Sequence, residues 1–577
     1  MLFVTLTLLA PALAKSDKHC HEEVVKYVQA TASPNGNGSK KHPFSTLAAA
    51  ALATWDVLIV LPSTMTLGGG ITLKNGQKII GACDPTDISV SPTQPIITNS
   101  SLATNNGVGV IATGDNVIKN IYFKDTFSSA INYDNATDLT VQDCLITGHN
   151  QGNVIVDVDA IFTAGLQAAG IQGKNGNSGE TLIEHVIIRN NKNGTGITDY
   201  TTNAAHRELT VCNCEFSGLN NTGIFTPLAV TNTSSNVVVK DSYFHDITNG
   251  NGIFCEPFSG TTETVCVKSS LFDNVGASIL GNFPPVTAFP KSGSDLKILV
   301  DACSFENATT GAVLIQNTSS LKSEAIVENS IGNNVGIFFQ SQVVDNGVQH
   351  NRLCGNTVTG GTFYEAQAFH SLVTLPMPVE ITEIIGNCFT GSTGSIGIEL
   401  IPSIAWTLLD ITAECNCFYG SGTGSILFDT ITSATPGKFN GLINAHENTF
   451  SGFTTDIKDN GSNVSYLVSR NFWGTPTTTC STTSPCPTFQ TCEHGSCLGP
   501  IVVAPAPPYT GFIDASHPLA VSIKCPRNCC FSKSGTPTPP PLLQAVLSTE
   551  EKLQKLERIR ESIKNGAHKT TAGAVVS

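Results

Sequence analysis

A unit of apolar and polar positions recurs along most of the chain, from about residue 116 to residue 473. Each unit has two aliphatic residues separated by one position, followed by a large apolar residue that we number position 0. Consecutive units are about 29 residues apart on average. Position 0 is occupied by Phe123, Ile146, Ile187, Phe216, Phe244, Phe272, Phe305, Ile331, Leu353, Phe389, Phe418, Phe450 and Trp473. Position −5 is always aliphatic: Ile118, Val141, Leu182, Val211, Val239, Val267, Val300, Ile326, Val348, Ile384, Ala413, Ala445 and Val468.

The spacing within a unit predicts two strands joined by a sharp corner. Positions −7 and −5 alternate as one strand requires, but the next inward pair is −2 and 0, which is a shift of one residue in phase. Asparagine tolerates the left-handed backbone of a tight corner, and stacked amides bond from rung to rung. We therefore predict an asparagine ladder at position −2, formed by Asn329, Asn351, Asn387, Asn416 and Asn448.

These repeats exclude helical solenoids, because no unit holds a ten-residue stretch of helical periodicity. Coils of this length with Val/Ile columns and Asn corners resemble the right-handed parallel β-helix of pectin-lyase-like proteins. Residues 35–81, with a Pro-Phe-Ser-Thr helix start and a Val-Leu-Ile-Val strand, are similar to that superfamily's first segment. The resemblance covers roughly residues 35–475 and implies an all-β solenoid of about 13 to 16 coils. It also implies a capping helix near residues 45–54.

Composition outside the repeats divides the rest of the chain. We expect a signal peptide at 1–14, an N-terminal cap with the first coils at 15–110, and β-helix repeats at 111–474. A Cys-rich C-terminal cap at 475–536 follows, and then a Pro-rich spacer with a terminal amphipathic helix at 537–577. That helix either docks on the rod or mediates oligomerisation.

Charge and hydrophobicity exclude two partner classes. The 577 residues carry a formal charge of −14 with 31 basic residues, so a surface that binds nucleic acid is not expected. No apolar run reaches the roughly 20 residues of a transmembrane helix. The predicted export favours a secreted protein or one on a cell or virion surface.

The 19 cysteines are divided between the body and the tail. Cys388 and Cys417 fall at the same position of neighbouring units, where a Cα spacing of about 4.8 Å lies within the range of a disulfide between them. The tail cysteines predict a disulfide-stapled cap, with a zinc site as the alternative. Those that we single out in the tail are Cys480, Cys486, Cys492 and Cys497.

The candidate catalytic residues lie in and after the longest interval between units. His149, Asp157 and Asp159 belong to this insertion, and Asp199 and Arg207 follow it. Insertions on one face are where such folds place function. The structural alternative is an outward-facing strand alternation for the two aspartates and a solvated loop for Arg207.

Two classes of function remain open. A long, acidic, exported rod resembles β-helical surface proteins, which implies a non-enzymatic adhesin, a glycan- or receptor-binding protein, or a structural protein. The alternative is a polysaccharide lyase or glycoside hydrolase, since many pectin-lyase-like proteins cleave acidic polysaccharides. The adhesin is the preferred expectation, because basic residues are scarce. No cofactor is expected, and Ca²⁺ belongs only to the lyase alternative.

Overall fold

The computed structural model describes residues 23–473 except for short gaps, and a few residues beyond. The gaps are 83–93, 135–137, 154, 158–165, 176–177, 192–193, 202–204, 229–230, 277–283, 321, 370–377, 403–407, 432–440 and 460–463. Beyond residue 473 it describes 491–493, 496–498, 500, 502–503 and 513–514. The predicted signal peptide, the terminal helix, Cys480 and Cys486 lie outside the described residues.

Two long parallel sheets wind around one apolar interior. The first sheet contributes one strand per coil: Val25–Val28, Val57–Val60, Lys78–Gly81, Asn116–Lys119, Leu139–Gln142, Gly179–Glu184, His206–Cys212, Ser234–Lys240, Thr262–Lys268, Asp295–Asp301, Lys322–Glu328, Val348–Cys354, Val379–Ile385, Leu408–Glu414, Gly441–His446, Val464–Leu467 and Ile513–Asp514.

The second sheet contributes a second and a third strand to each complete coil. Its strands are Leu67–Gly68, Ile71–Thr72, Ile96–Thr98, Val110–Ile111, Tyr122–Lys124, Ile131–Asn132, Leu145–Thr147, Ile171–Asn175, Ile187–Asn191, Ile197–Thr201, Glu215–Leu219, Ile224–Leu228, Tyr243–Ile247, Ile253–Pro257, Leu271–Val275, Val286–Ala288, Ser304–Glu306, Val313–Thr318, Ile331–Val344, Thr357–Phe369, Cys388–Pro402, Cys417–Tyr419, Ile426–Thr430, Thr449–Ser451, Thr455–Asp459 and Val502–Val503. In the three longest of these, the second and third strands run on as one. The predicted all-β parallel solenoid is confirmed by this register.

The predicted front helix is present but shorter than expected, at Leu47–Ala51. Thr46 caps it, because its Oγ1 accepts a hydrogen bond from the amide of Ala49 at 3.1 Å. Leu47 and Ala50 are buried and close the first coil. A short 3₁₀ turn follows at Asn105–Gly107. Among the residues that the structure describes, no helix is long and apolar enough to cross a bilayer.

Stacked rings fill the interior at position 0. The ring centroids of Phe216, Phe244, Phe272 and Phe305 follow one another at 4.7, 4.8 and 5.1 Å, nearly parallel. All four side chains are fully buried. Such a column contributes to stability both through apolar burial and through offset stacking.

The register corrects the predicted columns in three units. The residue that faces inward at position 0 is Ile188 instead of Ile187, Gly332 instead of Ile331, and Val358 instead of Leu353. The register also corrects position −5, which is occupied by Ile183 instead of Leu182, by Val327 instead of Ile326, and by Leu353 instead of Val348.

The asparagine ladder runs through the last coils and differs from the predicted set. The amide side chains of Asn356, Asn387, Asn416, Asn448 and Asn471 hydrogen-bond from rung to rung. Asn329 and Asn351 do not belong to it. Asn329 is exposed at the left-handed corner, with φ of 52°, one position before the ladder column. Asn351 faces inward on a strand of the first sheet, where its Nδ2 donates to Glu380 Oε1 at 3.1 Å.

The predicted bridge between Cys388 and Cys417 is not formed. The two residues are direct neighbours in the register, as expected, but Cys388 carries a thiol. Cys417 is itself disulfide-bonded, so its partner is a cysteine other than Cys388.

The tail continues the solenoid where it is described. Val502–Val503 pairs with Thr455–Asp459, and Ile513–Asp514 pairs with Val464–Leu467, both in parallel. A hairpin of Thr491–Glu493 and Ser496–Leu498 sets Cys492 opposite Cys497. A second hairpin joins Ile155–Asp157 and Leu166–Gln167.

Candidate active site

The outer surface of the third strands carries a row of carboxyl groups. Along these strands Tyr364, Ile398 and Phe428 point into the interior. Because side chains alternate along a strand, the residues that follow them point outward. These are Glu365, Glu399 and Asp429, which we call the carboxylate row.

The register places the members of the carboxylate row on three consecutive coils. Glu365 pairs with Glu399, and Glu399 pairs with Asp429. Neighbouring strands lie about 4.8 Å apart, so the row spans about 10 Å along the solenoid axis. The three residues expose only 5, 8 and 3 % of their surface, respectively. Carboxylates are almost never buried unless they are paired, so this concentration of acid carries an energetic cost that requires compensation.

The two ends of the row have polar partners. At one end, Gln340 donates through Nε2 to Glu365 Oε1 at 2.6 Å, and Gln367 donates to the same oxygen. At the other end, the Lys458 ammonium donates to Asp429 Oδ2 at 3.0 Å. The second oxygen of Asp429 is buried and has no hydrogen-bond partner among the described residues. Amide donors and an ammonium group thus bind the carboxyl groups at the two ends of the row.

The central member, Glu399, has a raised pKa. The pKa of Glu399 is raised to about 8, first by burial and then by the neighbouring Glu365 and Asp429, while Lys458 acts in the opposite direction. Glu399 is therefore protonated at neutral pH and carries a proton that it can give away. A carboxyl group that keeps its proton at neutral pH, with further carboxyl groups beside it, is an arrangement suited to general acid catalysis.

The residues predicted from the longest interval are not part of this row. Asp199 and Arg207 both lie on strands and face the interior, where they are 2 and 0 % exposed. Arg207 donates to Thr181 Oγ1 at 2.6 Å. Both charges lie near Tyr133, whose pKa burial and Asp199 raise well above its usual value. The structure therefore joins Asp199 and Arg207 in a buried polar cluster, not in a loop open to substrate.

His149 is also buried, and its Nε2 lies 2.9 Å from the carbonyl oxygen of Thr195. Burial lowers the pKa of His149 to about 4, so the imidazole is neutral at neutral pH. Asp157 ends the strand Ile155–Asp157, and its side chain is outside the described part. Asp159 lies wholly outside the described residues.

A second polar cluster lies on the outer face of the second strands. The ring of His245 contacts Asp246 Oδ2 at 2.9 Å and Glu215 Oε1 at 3.4 Å. Burial opposes protonation, but the hydrogen bonds to both carboxylates raise the pKa of His245.

Sequence reasoning missed the carboxylate row because the repeat alignment covers only the first and second strands. A signal exists at the third strand, where an acid between two inward-facing residues recurs in Tyr364-Glu365-Ala366, Ile398-Glu399-Leu400 and Phe428-Asp429-Thr430.

Comparison with known proteins gives distant structural likeness only. No protein-family model matches the chain, and no curated protein is significantly similar to it. Among solved structures, a GH87 alpha-1,3-glucanase from Streptomyces thermodiastaticus is 14% identical, with a TM-score of 0.40, over 71% of this chain and 70% of that one. A GH136 lacto-N-biosidase from Eubacterium ramulus is 13% identical, with a TM-score of 0.36, over 74% and 67%.

A mannuronan C-5 epimerase A-module from Azotobacter vinelandii is 13% identical, with a TM-score of 0.35, over 68% of this chain and 95% of that one. Similarities of this size do not assign an activity to the chain. The assignment to the parallel β-helix class rests on the strand register.

Proposed function

We propose that this protein is a glycoside hydrolase that acts on a polysaccharide through the carboxylate row. The observation that carries the proposal is the column of three buried carboxyl groups on three consecutive coils. Glu365 and Asp429 are held by donors at the two ends, and Glu399 between them keeps its proton. Burying three acids in one column of a solenoid serves no purpose in a rod that only needs to pack, whereas strongly perturbed carboxyl groups cluster at catalytic sites.

The spacing of the row favours a retaining mechanism. Retaining glycosidases hold their two carboxyl groups about 5–5.5 Å apart, and inverting enzymes hold them about 6.5–9.5 Å apart. Glu399 and Asp429 are on adjacent strands whose backbones lie about 4.8 Å apart, so their side chains can bring the two carboxyl groups to the separation of a retaining pair. Glu399 is thus assigned as the acid and Asp429 as the nucleophile.

In the first step, an Asp429 carboxylate oxygen attacks the anomeric carbon. The bond to the leaving oxygen breaks, and that oxygen takes the proton from Glu399. In the second step, the Glu399 carboxylate takes a proton from water, whose oxygen attacks the anomeric carbon and releases Asp429. Lys458, which is bonded to Asp429 Oδ2, orients the nucleophile.

This proposal replaces the non-enzymatic adhesin as the preferred function. A polysaccharide substrate agrees with the export expected from residues 1–14 and with a glycan as partner. A lyase remains the second enzymatic class, but no contact within the described part of the row favours it, since the only cation bonded there, Lys458, is paired with Asp429.

The test is hydrolysis of a panel of neutral and acidic polysaccharides, scored for new reducing ends. We expect Glu399→Gln to lower the rate at least about 100-fold, the typical effect of removing a general acid. Glu383→Gln serves as the matched control, because Glu383 is an exposed carboxylate on the first sheet. Proton NMR of the first product should show the anomer with retained configuration. No cleavage of any polysaccharide, or equal loss in both variants, would contradict the proposal.

A further inference from the structure

Three aromatic rings form a half-exposed platform on the outer face of the third strands. The rings of Phe225 and Phe254 are stacked with centroids 5.1 Å apart and planes 6° apart. Phe289 meets Phe254 edge to face, with centroids also 5.1 Å apart. None of the three belongs to the buried core. Exposed aromatic rings in a contiguous group are typical of a binding surface, because burying them inside would release more free energy.

A row of glutamines connects this platform to the carboxylate row. Ala288 pairs with Ile315, so Phe289 lies level with Gln316 on the next coil. Gln316 pairs with Gln342, and Gln342 pairs with Gln367. All three glutamines are half-exposed, whereas the outward residues beside them, Thr287, Leu314 and Gln340, are buried. The accessible surface from Phe289 to Gln367 is thus this glutamine row.

The glutamine row ends at the proposed catalytic groups. Gln367 donates to Glu365, the first member of the carboxylate row. Three coil steps separate Phe289 from Gln367, or about 14 Å, and five separate Phe254 from Glu399, or about 24 Å. The aromatic platform, the glutamine row and the carboxylate row therefore lie along one line parallel to the solenoid axis.

The charges along this line select the chemistry of the ligand. Lys291 contacts Glu256 Oε1 at 3.2 Å and lies over the ring of Phe289 at 5.7 Å. Lys458 is paired with Asp429. Both lysines described along the line are thus compensated, so an acidic polysaccharide would meet three carboxyl groups without a spare cation. Primary amides donate to and accept from hydroxyl groups, and aromatic faces pack on the apolar faces of sugar rings.

We propose that a neutral polysaccharide lies lengthwise on this face, with distal sugar units on the aromatic platform and the following units on the glutamine row. This inference rests on the proposed function for the choice of a glycan as occupant. It adds that the substrate is uncharged and that binding extends about 24 Å from the reacting bond, so that affinity depends on chain length.

The experiment is affinity electrophoresis of the full chain carrying Glu399→Gln, in gels that contain laminarin, dextran, galactomannan or polygalacturonate. We expect at least one neutral polysaccharide to retard the protein and polygalacturonate not to. Adding Phe254→Ala or Gln342→Ala should raise the Kd obtained from the retardation about tenfold. Tyr419→Ala is the matched control, because Tyr419 is an exposed aromatic on the second strands. Each variant is compared by thermal melting, so that only folded proteins are scored.

Retardation by polygalacturonate alone, by no glycan, or equally in all variants would overturn the inference. The two proposals fail separately in this design. If binding depends on Phe254 but the wild-type chain hydrolyses nothing, the proposed binding face is supported and the proposed hydrolase activity is contradicted. If the wild type and a Phe254→Ala variant that retains Glu399 hydrolyse the polysaccharide with equal KM, the hydrolase activity is supported and the binding face is contradicted.

Discussion

Replacing one member of the asparagine ladder should cost far more stability than replacing an asparagine at the corner beside it. Asn416 is 1 % exposed. Its Nδ2 donates to the carbonyl of Ile384 at 2.7 Å and to Asn448 Oδ1 at 2.9 Å. Its Oδ1 accepts from the amide nitrogen and the side-chain Nδ2 of Asn387, at 2.8 and 3.0 Å.

Asn416→Ala removes these four hydrogen bonds and leaves their partners buried. At about 1 kcal/mol per bond, the free energy of unfolding should fall by about 4 kcal/mol, and the desolvated partners would add to the loss. Asn329→Gly is the control. Asn329 is exposed at a position with φ of 52°, a conformation that glycine adopts without strain. We expect that substitution to cost less than about 1 kcal/mol, in line with exposed positions in general.

The assay is urea unfolding followed by circular dichroism, with the midpoints compared at a common slope, since repeat proteins can lose cooperativity. Equal midpoints for Asn416→Ala and Asn329→Gly would refute the assignment of the ladder. A large loss of stability for Asn329→Gly with none for Asn416→Ala would instead support the ladder predicted from the sequence, which includes Asn329.

Two further predictions concern protonation. Glu365 raises the pKa of Glu399, so Glu365→Gln should lower that pKa. The alkaline limb of the pH–rate profile should then move to lower pH, and an unmoved limb would contradict the interaction between the two carboxyl groups. Inside the solenoid, burial raises the pKa of Glu263 to about 8 from a reference of 4.5. The native state then holds a proton that the unfolded chain releases. The contribution of Glu263 to the free energy of unfolding is therefore greatest below about pH 4.5 and is lost as the pH rises from there through 8. Glu263→Gln should remove that slope in thermal melts between pH 5 and 9, and an unchanged slope would argue against a protonated Glu263.

Most of the first and second strands could be predicted from the sequence, but the register was predicted wrongly where the inward-facing residues are polar. Near Val348 the inward positions are Gln349 and Asn351, which bond to each other at 2.7 Å and reach Glu380. Because a polar interior breaks the apolar alternation, Leu353 was assigned to position 0 although it occupies position −5. The left-handed corner lies one position before the ladder column, at Asn213, Asp241 and Asn329. The residue that adopts positive φ and the residue whose side chain forms the ladder are therefore neighbours in the chain, not the same residue.

The carboxylate row could not be recognised from the sequence alone for a physical reason. An acid that follows an inward-facing residue on a strand has the same pattern as an ordinary solvated face. What distinguishes Glu399 is its burial and the neighbouring Glu365 and Asp429, which are 34 and 30 residues away in the chain and meet it only through coil stacking. Asp199 and Arg207 show the converse case, since charges that suggested a surface site pack inside.

The most direct test of the account is the pH dependence of polysaccharide hydrolysis by the wild-type chain and by Glu399→Gln. Wild-type activity should fall as pH rises through about 8, where Glu399 loses its proton. The variant should be at least about 100-fold slower on a substrate whose leaving group needs a proton, and a substrate with an activated leaving group should restore much of the rate. Full activity of Glu399→Gln on the polysaccharide, with an unchanged alkaline limb, would contradict the central claim.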